Sequence, residues 1–287
     1  MLHQIIQCVE KRTTGLCCVV EMSNCLKMTQ EDSSQFKSIL GISDWTPNED
    51  TLRAIIAQTL RKIPFTNIMM LTRDRRPPSC EEILNDMLSM KGGPCGHYNP
   101  FMASFLTTLG FDCSLVPAWM NSVLCHIAII VKLANKKFWI DCGNGHPYLS
   151  PLELRDGVTA SHAGLVYRIV KCGEKKYQLF HKHSDQGDFE LNYEFMDQPV
   201  EFDFFDQMVK SHYMEEDFGP FLTGLRLIMY PNDELFAIRN KELLTTEKGA
   251  LKKHKFGDLR ELTETIESKF ANARYPMDGV FESLGWT

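Results

Sequence analysis

Hydrophobic residues recur at helical spacing in the first third of the chain and at alternate positions in the middle third. The helical spacing predicts three amphipathic helices, over residues 33–42, 46–63 and 79–90. Thr46 with Glu49, and Ser79 with Glu82, have the spacing of capping boxes. These pairs predict where the second and third helices begin, and the region up to residue 90 is expected to be helical.

A fourth helix is predicted after residue 98, and it is expected to end at Gly110, where the period changes to two. Strands are predicted over residues 113–120, 126–133, 136–143, 164–172 and 176–184. The pattern ends with a helix over 204–214, a strand pair over 224–230 and 234–240, and a helix over 258–270 capped by Asp258. Helices, then an antiparallel sheet, then a mixed region favour the α+β class.

The first thirty-odd residues show no clear period. They are interpreted as an N-terminal extension over residues 1–33, with an added strand or hairpin through 15–22. No internal repeat or low-complexity tract is found in the chain.

Composition and charge narrow the range of partners. The formal net charge of −6 and the absence of a basic stripe argue against nucleic acid as a partner. The longest apolar run is interrupted by lysines well short of a membrane span. Glu10, Lys11 and Arg12 lie where a signal peptide would need apolar residues, so no membrane association and a cytoplasmic location are expected.

A metal site is not expected, although Cys95, His97, Cys125, His126 and Cys142 lie in the same third of the chain. The sequence contains no Cys-x-x-Cys pair. Adjacent residues of a strand point to opposite faces, so Cys125 and His126 cannot both reach one ion.

The most distinctive short segment is KGGPCGHYN at residues 91–99, where Cys95 follows a glycine-rich turn. A cysteine displayed at a helix N-terminus has a stabilised thiolate. His126 opens one predicted strand and Asp141 closes the next. With Ala134-Asn135 as a two-residue turn, both side chains lie on one face, close enough to meet. A three-residue turn would place them on opposite faces.

Each of these residues also has an ordinary interpretation. An aspartate at a strand end is commonly a turn residue, a histidine at a strand start is commonly a surface residue, and a cysteine after Gly-Gly-Pro can serve packing alone. Spacing by itself leaves both interpretations open.

The segment KGGPCGHYNPFMASFLTTLGF resembles the signature of arylamine N-acetyltransferases, in which Arg-Gly-Gly-aromatic-Cys leads four residues later to Asn. HIAIIVKLANKKFWIDCGNG is similar to that family's His-initiated strand and its Asp-Val-Gly-Phe-Gly. IPFTNI resembles its Pro-Phe-Glu-Asn-Leu. The resemblance continues through SPLEL, VYRIV and the stretch from HYMEEDFGPF to AIRNKELL, and so covers roughly residues 36–270.

The resemblance implies a helical bundle over 34–90, a nucleophile helix with an antiparallel β-barrel over 91–200, and an α/β lid over 201–287. It implies the Cys-His-Asp core of papain-like and transglutaminase enzymes. By position, Cys95 matches the nucleophile, His126 the base and Asp141 the orienting carboxylate. Asn99 matches an asparagine that supports the loop. Phe65 and Asn144 match residues of the substrate pocket.

The resemblance also implies the chemistry. In a ping-pong reaction, the Cys95 thiolate takes an acetyl group from acetyl-CoA and passes it to a small arylamine or hydrazine, with no metal. The backbone N–H of Cys95 is the expected donor to the oxyanion.

Several positions depart from the family pattern. Lys91 replaces Arg, Pro94 replaces a large residue, and Asn144 replaces an aromatic one. Pro100 predicts a helix that starts only at Asn99, and His97 is expected at the surface. The acidic stretch 214–217 would repel the phosphates of coenzyme A if it faced the cleft.

These departures keep two alternatives open beside the acetyltransferase. One is an amide synthase or thiol hydrolase that uses the same three residues with another acyl donor. The other is a catalytically idle relative that serves as a binding protein.

Overall fold

The computed structural model of the protein describes residues 26–183 and 187–287. The strand or hairpin predicted through residues 15–22 lies outside this range. The described chain forms a helical region, an antiparallel barrel-like sheet, and a smaller sheet covered by helices, so the predicted α+β class is confirmed. None of the described helices is long and apolar enough to span a bilayer.

The helical region contains α1 (Gln30–Leu40), α2 (Glu49–Lys62), the short α3 (Ile68–Leu71) and α4 (Cys80–Leu88). Ser79 and Glu82 form the predicted capping box of α4. The cap predicted for α2 at Thr46 is wrong, because Asn48 accepts the hydrogen bond from the Thr51 N–H and starts that helix two residues later. An asparagine at this position is as good a cap as a threonine.

The first helix also starts earlier than predicted. Thr29 caps it in a capping box with Asp32, so α1 begins at Gln30, within the segment interpreted as an extension. The spacing of apolar residues predicts a start only at Ser33, because the first turn of the helix is polar.

Helix α5 (Cys95–Thr108) is buried along most of its length and packs against the barrel strands β2 (Asp112–Met120) and β3 (Val123–Leu133). The large sheet continues with β4 (Lys136–Ile140), β5 (Leu152–Glu153), β6 (Thr159–His162), β7 (Leu165–Lys171), β8 (Lys176–His183) and β9 (Glu190–Met196). In the described residues, these eight strands are ordered β5-β4-β3-β2-β9-β8-β7-β6, and all their pairings are antiparallel.

The third region begins with a 3₁₀ turn (Phe202–Phe205) and α6 (Asp206–Met214), as the helical pattern over 204–214 predicts. Its sheet contains β10 (Arg226–Met229), β11 (Phe236–Arg239), β12 (Glu242–Glu247) and β13 (Ala250–Lys255). The helices α7 (Leu259–Lys269) and α8 (Met277–Ser283) cover one face of this sheet. Asp258 caps α7 as predicted.

A two-residue strand, β1 (Phe65–Thr66), joins this smaller sheet although it belongs to the helical region of the sequence. Phe65 pairs with Ile228 of β10, more than half the chain away. The pairing anchors the third region on the helical region, and it brings Phe65 beside the loop that follows β4.

Candidate active site

Cys95 is the first residue of α5, so its side chain lies at the N-terminus of that helix. Pro94 occupies the capping position in extended conformation. The prediction that Pro100 delays the helix to Asn99 is wrong, because α5 runs through Pro100. A proline there removes only one helical hydrogen bond, and burial of nearly the whole helix compensates for that loss. The helix dipole therefore acts on Cys95 directly.

His126 and Asp141 are positioned by the hairpin of β3 and β4. Leu133 pairs with Lys136, so Ala134-Asn135 is the predicted two-residue turn. The same register carries His126 and Asp141 to one face of the sheet, where His126 Nε2 lies 2.7 Å from Asp141 Oδ2. The Cys95 thiol lies close enough to the same imidazole to raise its pKa. The three residues that the sequence singles out are thus in mutual contact.

The Asp141 carboxylate is fully hydrogen-bonded within the described part of the chain. Oδ2 accepts from His126 and from the Tyr193 hydroxyl, which is 2.8 Å away. Oδ1 accepts from Asn99 Nδ2 at 2.9 Å and from the Gly143 N–H at 3.0 Å. A carboxylate that accepts from four donors is held in one orientation.

Asn99 connects three parts of the site. Its amide nitrogen donates to Asp141 and to the Ile127 carbonyl, and its amide oxygen accepts from the Cys142 N–H. It therefore ties α5 to both strands of the hairpin, as its match to the supporting asparagine implies.

Tyr193 was not among the residues predicted from the sequence. It lies on β9, whose sequence ELNYEFM alternates strongly enough to have indicated a strand. Even with the strand identified, its pairing with β2 could not be read from the pattern, because no short turn links β9 to β2.

The electrostatics of the site favour a charged imidazole. Burial alone would lower the pKa of His126, but the charges of Asp141 and Cys95 and their hydrogen bonds outweigh burial. The pKa of His126 is therefore raised well above its ordinary value. An imidazolium at neutral pH is the partner that a thiolate requires.

The loop after β4 packs closely against Cys95 and Phe65, and glycines occupy the positions of closest approach. A Cβ built on Gly143 would lie 2.7 Å from Cys95 Cα, and one on Gly145 would lie 3.0 Å from the ring of Phe65. Between them, the half-buried Asn144 accepts a hydrogen bond from Asn192 at 3.2 Å. The structure thus places both predicted pocket residues, Phe65 and Asn144, at the loop that covers Cys95.

Aromatic side chains from the third region pack next to Phe65. The ring centroid of Phe221 lies 6.0 Å from that of Phe65 and 5.2 Å from that of His212. Phe218 packs on His212 from another side, with 4.8 Å between the ring centroids. We call Phe65, His212, Phe218 and Phe221 the aromatic wall.

Helix α6 lies across the N-terminus of α5. A Cβ built on Gly96 would lie 3.5 Å from Val209 Cγ2. One turn further along α6, His212 Nε2 lies 2.9 Å from the carbonyl oxygen of Cys125, the residue before His126. The aromatic wall is therefore attached to the strand that carries the imidazole.

His97 is buried, with 1% of its surface exposed, so the prediction of a surface residue is wrong. Its ring occupies the space left by Gly93, where a Cβ would lie only 2.5 Å from it. His97 Nε2 is 3.5 Å from Asp86, which pairs with Arg73 at 2.5 Å. Burial is the main cause that lowers the pKa of His97.

Two of the three carboxylates in the acidic stretch 214–217 have partners. Glu215 accepts from Ser211 Oγ at 2.8 Å, and Glu216 forms an ion pair with Arg75. Of these contacts, only the ion pair of Glu216 with Arg75 offsets a negative charge, because the Ser211 hydroxyl is neutral.

An arginine pair lies on the face of the smaller sheet that carries Ile228, which contacts the Gly145 loop. Arg226 and Arg239 are directly opposite each other on β10 and β11, on the same face as Ile228. Neither makes an ion pair within residues 26–183 and 187–287. The charge of Arg239 contributes to the lowered pKa values of Arg226 and His146, after burial.

A family model described as N-acetyltransferase matches residues 49–273. An arylamine N-acetyltransferase of Mycolicibacterium smegmatis is 25% identical over 244 residues, which are 78% of this chain and 85% of that protein. The matched stretches of a mouse and a human arylamine N-acetyltransferase span 46% of those proteins.

Solved structures are similar over nearly their whole length. The Bacillus cereus arylamine N-acetyltransferase, described as having a Cys-His-Glu catalytic triad, is 26% identical with a TM-score of 0.72, covering 85% of this chain and 98% of that one. The Mycobacterium marinum enzyme in complex with CoA is 17% identical with a TM-score of 0.77, covering 88% and 97%. The latter similarity concerns the fold.

Proposed function

The chain belongs to the arylamine N-acetyltransferase family, and from this premise we propose that it transfers an acetyl group from acetyl-CoA to an arylamine or hydrazine. The observation that carries the proposal is the contact of Cys95, His126 and Asp141 at the N-terminus of a buried helix. The expected reaction class is ping-pong acyl transfer through a thioester on Cys95.

In the first half-reaction, the Cys95 thiolate attacks the carbonyl carbon of acetyl-CoA. The carbon–sulfur bond to coenzyme A breaks, and His126 supplies the proton that the departing thiolate takes up. The N–H of Cys95, the first residue of α5, can donate to the oxyanion that forms in between. The helix dipole favours negative charge on both the thiolate and the oxyanion.

In the second half-reaction, the amine nitrogen attacks the acetyl-Cys95 carbonyl with its lone pair. The bond between carbon and Cys95 sulfur breaks, the sulfur keeps its electron pair, and one amine proton passes to His126. The thiolate and the imidazolium are thereby restored. Asp141 keeps the imidazole oriented throughout and stabilises its positive charge whenever His126 is protonated, because the carboxylate is held by four donors.

The arginine pair supports coenzyme A as the carrier of the acetyl group. Arg226 and Arg239 share the sheet face that contacts the Gly145 loop, and guanidinium groups bind phosphate strongly. We propose that they bind the phosphates of coenzyme A. The aromatic wall is proposed as the binding surface for the arylamine ring.

Intact-mass measurement after incubation with acetyl-CoA tests the proposal. The protein should gain one acetyl group, and Cys95→Ala should gain none. Cys172→Ala, which alters an exposed cysteine, serves as the matched control and should be acetylated like the wild type. Addition of an arylamine should then remove the acetyl group and yield the acetylated amine.

The same experiment separates the alternatives. An adduct formed from other thioesters or from carrier-bound acyl groups, but not from acetyl-CoA, would favour an amide synthase or thiol hydrolase. No adduct with any thioester or activated ester would favour an idle binding protein, against which the intact contact of the three residues argues. The cytoplasmic location stays a prediction.

A further inference from the structure

Asn67 occupies the capping position of the short helix α3, but its side chain makes no hydrogen bond to that helix. An asparagine at a helix start usually accepts a hydrogen bond from an N–H of the first turn. The side chain of Asn67 is instead completely buried, and it bonds to a residue 154 positions further along the chain. Its contribution therefore lies in that distant segment.

Both polar atoms of the Asn67 side chain are bonded to the segment that leads into β10. Nδ2 donates to the carbonyl oxygens of Phe221 at 2.6 Å and of Gly224 at 2.7 Å. Oδ1 accepts from the Arg226 N–H at 2.8 Å. One buried amide thus holds both ends of residues 221–226.

The two ends of this segment carry the two surfaces that are proposed to bind the substrates. Phe221 belongs to the aromatic wall, where its ring centroid lies 6.0 Å from that of Phe65. Arg226 belongs to the arginine pair and lies directly opposite Arg239. The relative position of the two surfaces is therefore fixed through Asn67.

The strand β1 relates Asn67 to the nucleophile. Phe65, two residues before Asn67, contacts the loop after β4, where a Cβ built on Gly145 would lie 3.0 Å from its ring. In the same loop, a Cβ built on Gly143 would lie 2.7 Å from Cys95 Cα. A short series of packed residues thus leads from the thiol to the amide that holds both surfaces.

We propose that Asn67 is a positioning residue for both substrates, which holds Phe221 where the arylamine ring binds and Arg226 where the phosphates of coenzyme A bind. The inference rests on the proposed acetyl transfer and on these two binding surfaces. Loss of the amide should weaken the use of aromatic amines and of phosphate-bearing donors. It should not change the reactivity of Cys95 toward a small reagent that contacts neither surface.

Asn67→Asp removes the two donated hydrogen bonds at nearly constant shape. The carboxylate keeps an oxygen for the Arg226 N–H, but its second oxygen meets the carbonyl oxygens of Phe221 and Gly224, which can only accept. Asn48→Asp is the matched control. Asn48 is an exposed cap of α2 whose side chain only accepts a hydrogen bond, and aspartate caps a helix equally well.

Single-turnover mixing below saturation measures each half-reaction with two substrates. Acetylation of Cys95 is compared for acetyl-CoA and for the acetyl thioester of N-acetylcysteamine, which has no phosphate. Deacetylation is compared for an arylamine and for hydrazine, which has no ring. In Asn67→Asp, the preference for acetyl-CoA and the preference for the arylamine should each fall about fivefold. The pH profile of Cys95 alkylation by iodoacetamide should match that of the wild type and of the control.

Equal slowing with both members of each substrate pair, or an altered alkylation profile, would overturn the inference, because either result indicates a general structural role. A fall in only one of the two preferences would overturn it as well, because Asn67 would then position a single surface. If Asn67→Asp does not fold, Asn67→Ala, which leaves space for water beside the two carbonyl oxygens, takes its place, and unchanged preferences in that variant overturn the inference.

The wild-type protein separates this inference from the proposed function. A wild type that forms acetyl-Cys95 but shows neither preference would overturn the inference together with the two binding surfaces, while acetyl transfer would stand. Failure of the wild type to form acetyl-Cys95 with either thioester would overturn the proposed function itself.

Discussion

Tyr193 donates its hydroxyl hydrogen bond to the same oxygen of Asp141 that accepts from His126. The hydroxyl in turn accepts from Trp139 Nε1 at 2.9 Å, so a chain of three buried side chains ends at the carboxylate. The ring of Tyr193 lies 4.9 Å from that of His126. Tyr193 therefore positions both members of the His126–Asp141 pair.

Tyr193→Phe should lower the rate of Cys95 acetylation about tenfold, because the carboxylate loses one donor and Trp139 Nε1 loses its acceptor. Unfolding in denaturant should show a stability loss of about 1–3 kcal/mol. Tyr177→Phe is the control, since the Tyr177 ring stacks on Phe195 in the same barrel. An acetylation rate equal to that of the control would show that Asp141 does not depend on Tyr193.

Gly143→Ala should abolish most activity while leaving the fold recognisable. The added Cβ would lie 2.7 Å from Cys95 Cα and 3.0 Å from Asn99 Nδ2, and neither neighbour can move freely in the buried helix. We expect a stability loss of about 1–3 kcal/mol and displacement of the loop from the thiol. Single-turnover acetylation is the measurement.

Gly187→Ala is the matched control for this prediction, because among the described residues, its chain neighbours aside, none comes within 4 Å of a Cβ built there. Wild-type acetylation by Gly143→Ala would contradict the close contact between the loop and the helix.

Substitution of either arginine of the pair should weaken the binding of acyl donors that carry phosphates and should not change the binding of phosphate-free donors. Arg226→Gln and Arg239→Gln should each raise the KM for acetyl-CoA by about threefold to tenfold, because each removes a charge-assisted contact in a partly screened site. The kcat should not change. Steady-state kinetics at two salt concentrations measure both effects.

A phosphate-free acetyl thioester of N-acetylcysteamine provides the internal comparison, since its KM should be the same in the wild type and the two variants. Arg260→Gln, which alters an exposed arginine paired with Glu264, should leave both donors unaffected. Equal loss with both donors would argue that the arginines support the fold rather than bind phosphate.

The free energy of unfolding should decrease in acid, because some histidines are neutral in the folded protein and take up a proton when the chain unfolds. Burial, followed by the charges of His181 and Arg239, lowers the pKa of His146 to about 3. The unfolded chain binds a proton at this position below pH of about 6.5, whereas the folded chain does not, so stability falls as the pH falls from about 6.5 to 3. His126 has a raised pKa, and its contribution is instead lost at high pH.

His146→Gln should reduce the acid slope of the unfolding free energy by at most about 1.4 kcal/mol per pH unit. Part of the slope should persist, because the pKa of the buried His97 is lowered as well. Denaturant unfolding between pH 7 and 4 measures the slope, with His254→Gln as the exposed control. A slope identical to that of the wild type would contradict a neutral His146 in the folded protein.

Local features of the chain were predictable because local spacing creates them. The capping box of Ser79 and Glu82 involves residues three apart, and the pairing of β3 with β4 follows from a two-residue turn. That turn determines the register, and the register places His126 and Asp141 on one face. The resemblance of the motif around Cys95 then indicated the third partner, although the 31-residue spacing between Cys95 and His126 alone carries no contact information.

The features that the pattern missed depend on contacts between distant segments. The burial of His97 depends on the absence of a side chain at Gly93 and on Asp86 from another helix. Tyr193 reaches Asp141 across 52 residues, and His212 reaches Cys125 across 87. Hydrophobic period reports which face of an element is buried, and the partner of each buried polar atom is defined only when the elements are packed together.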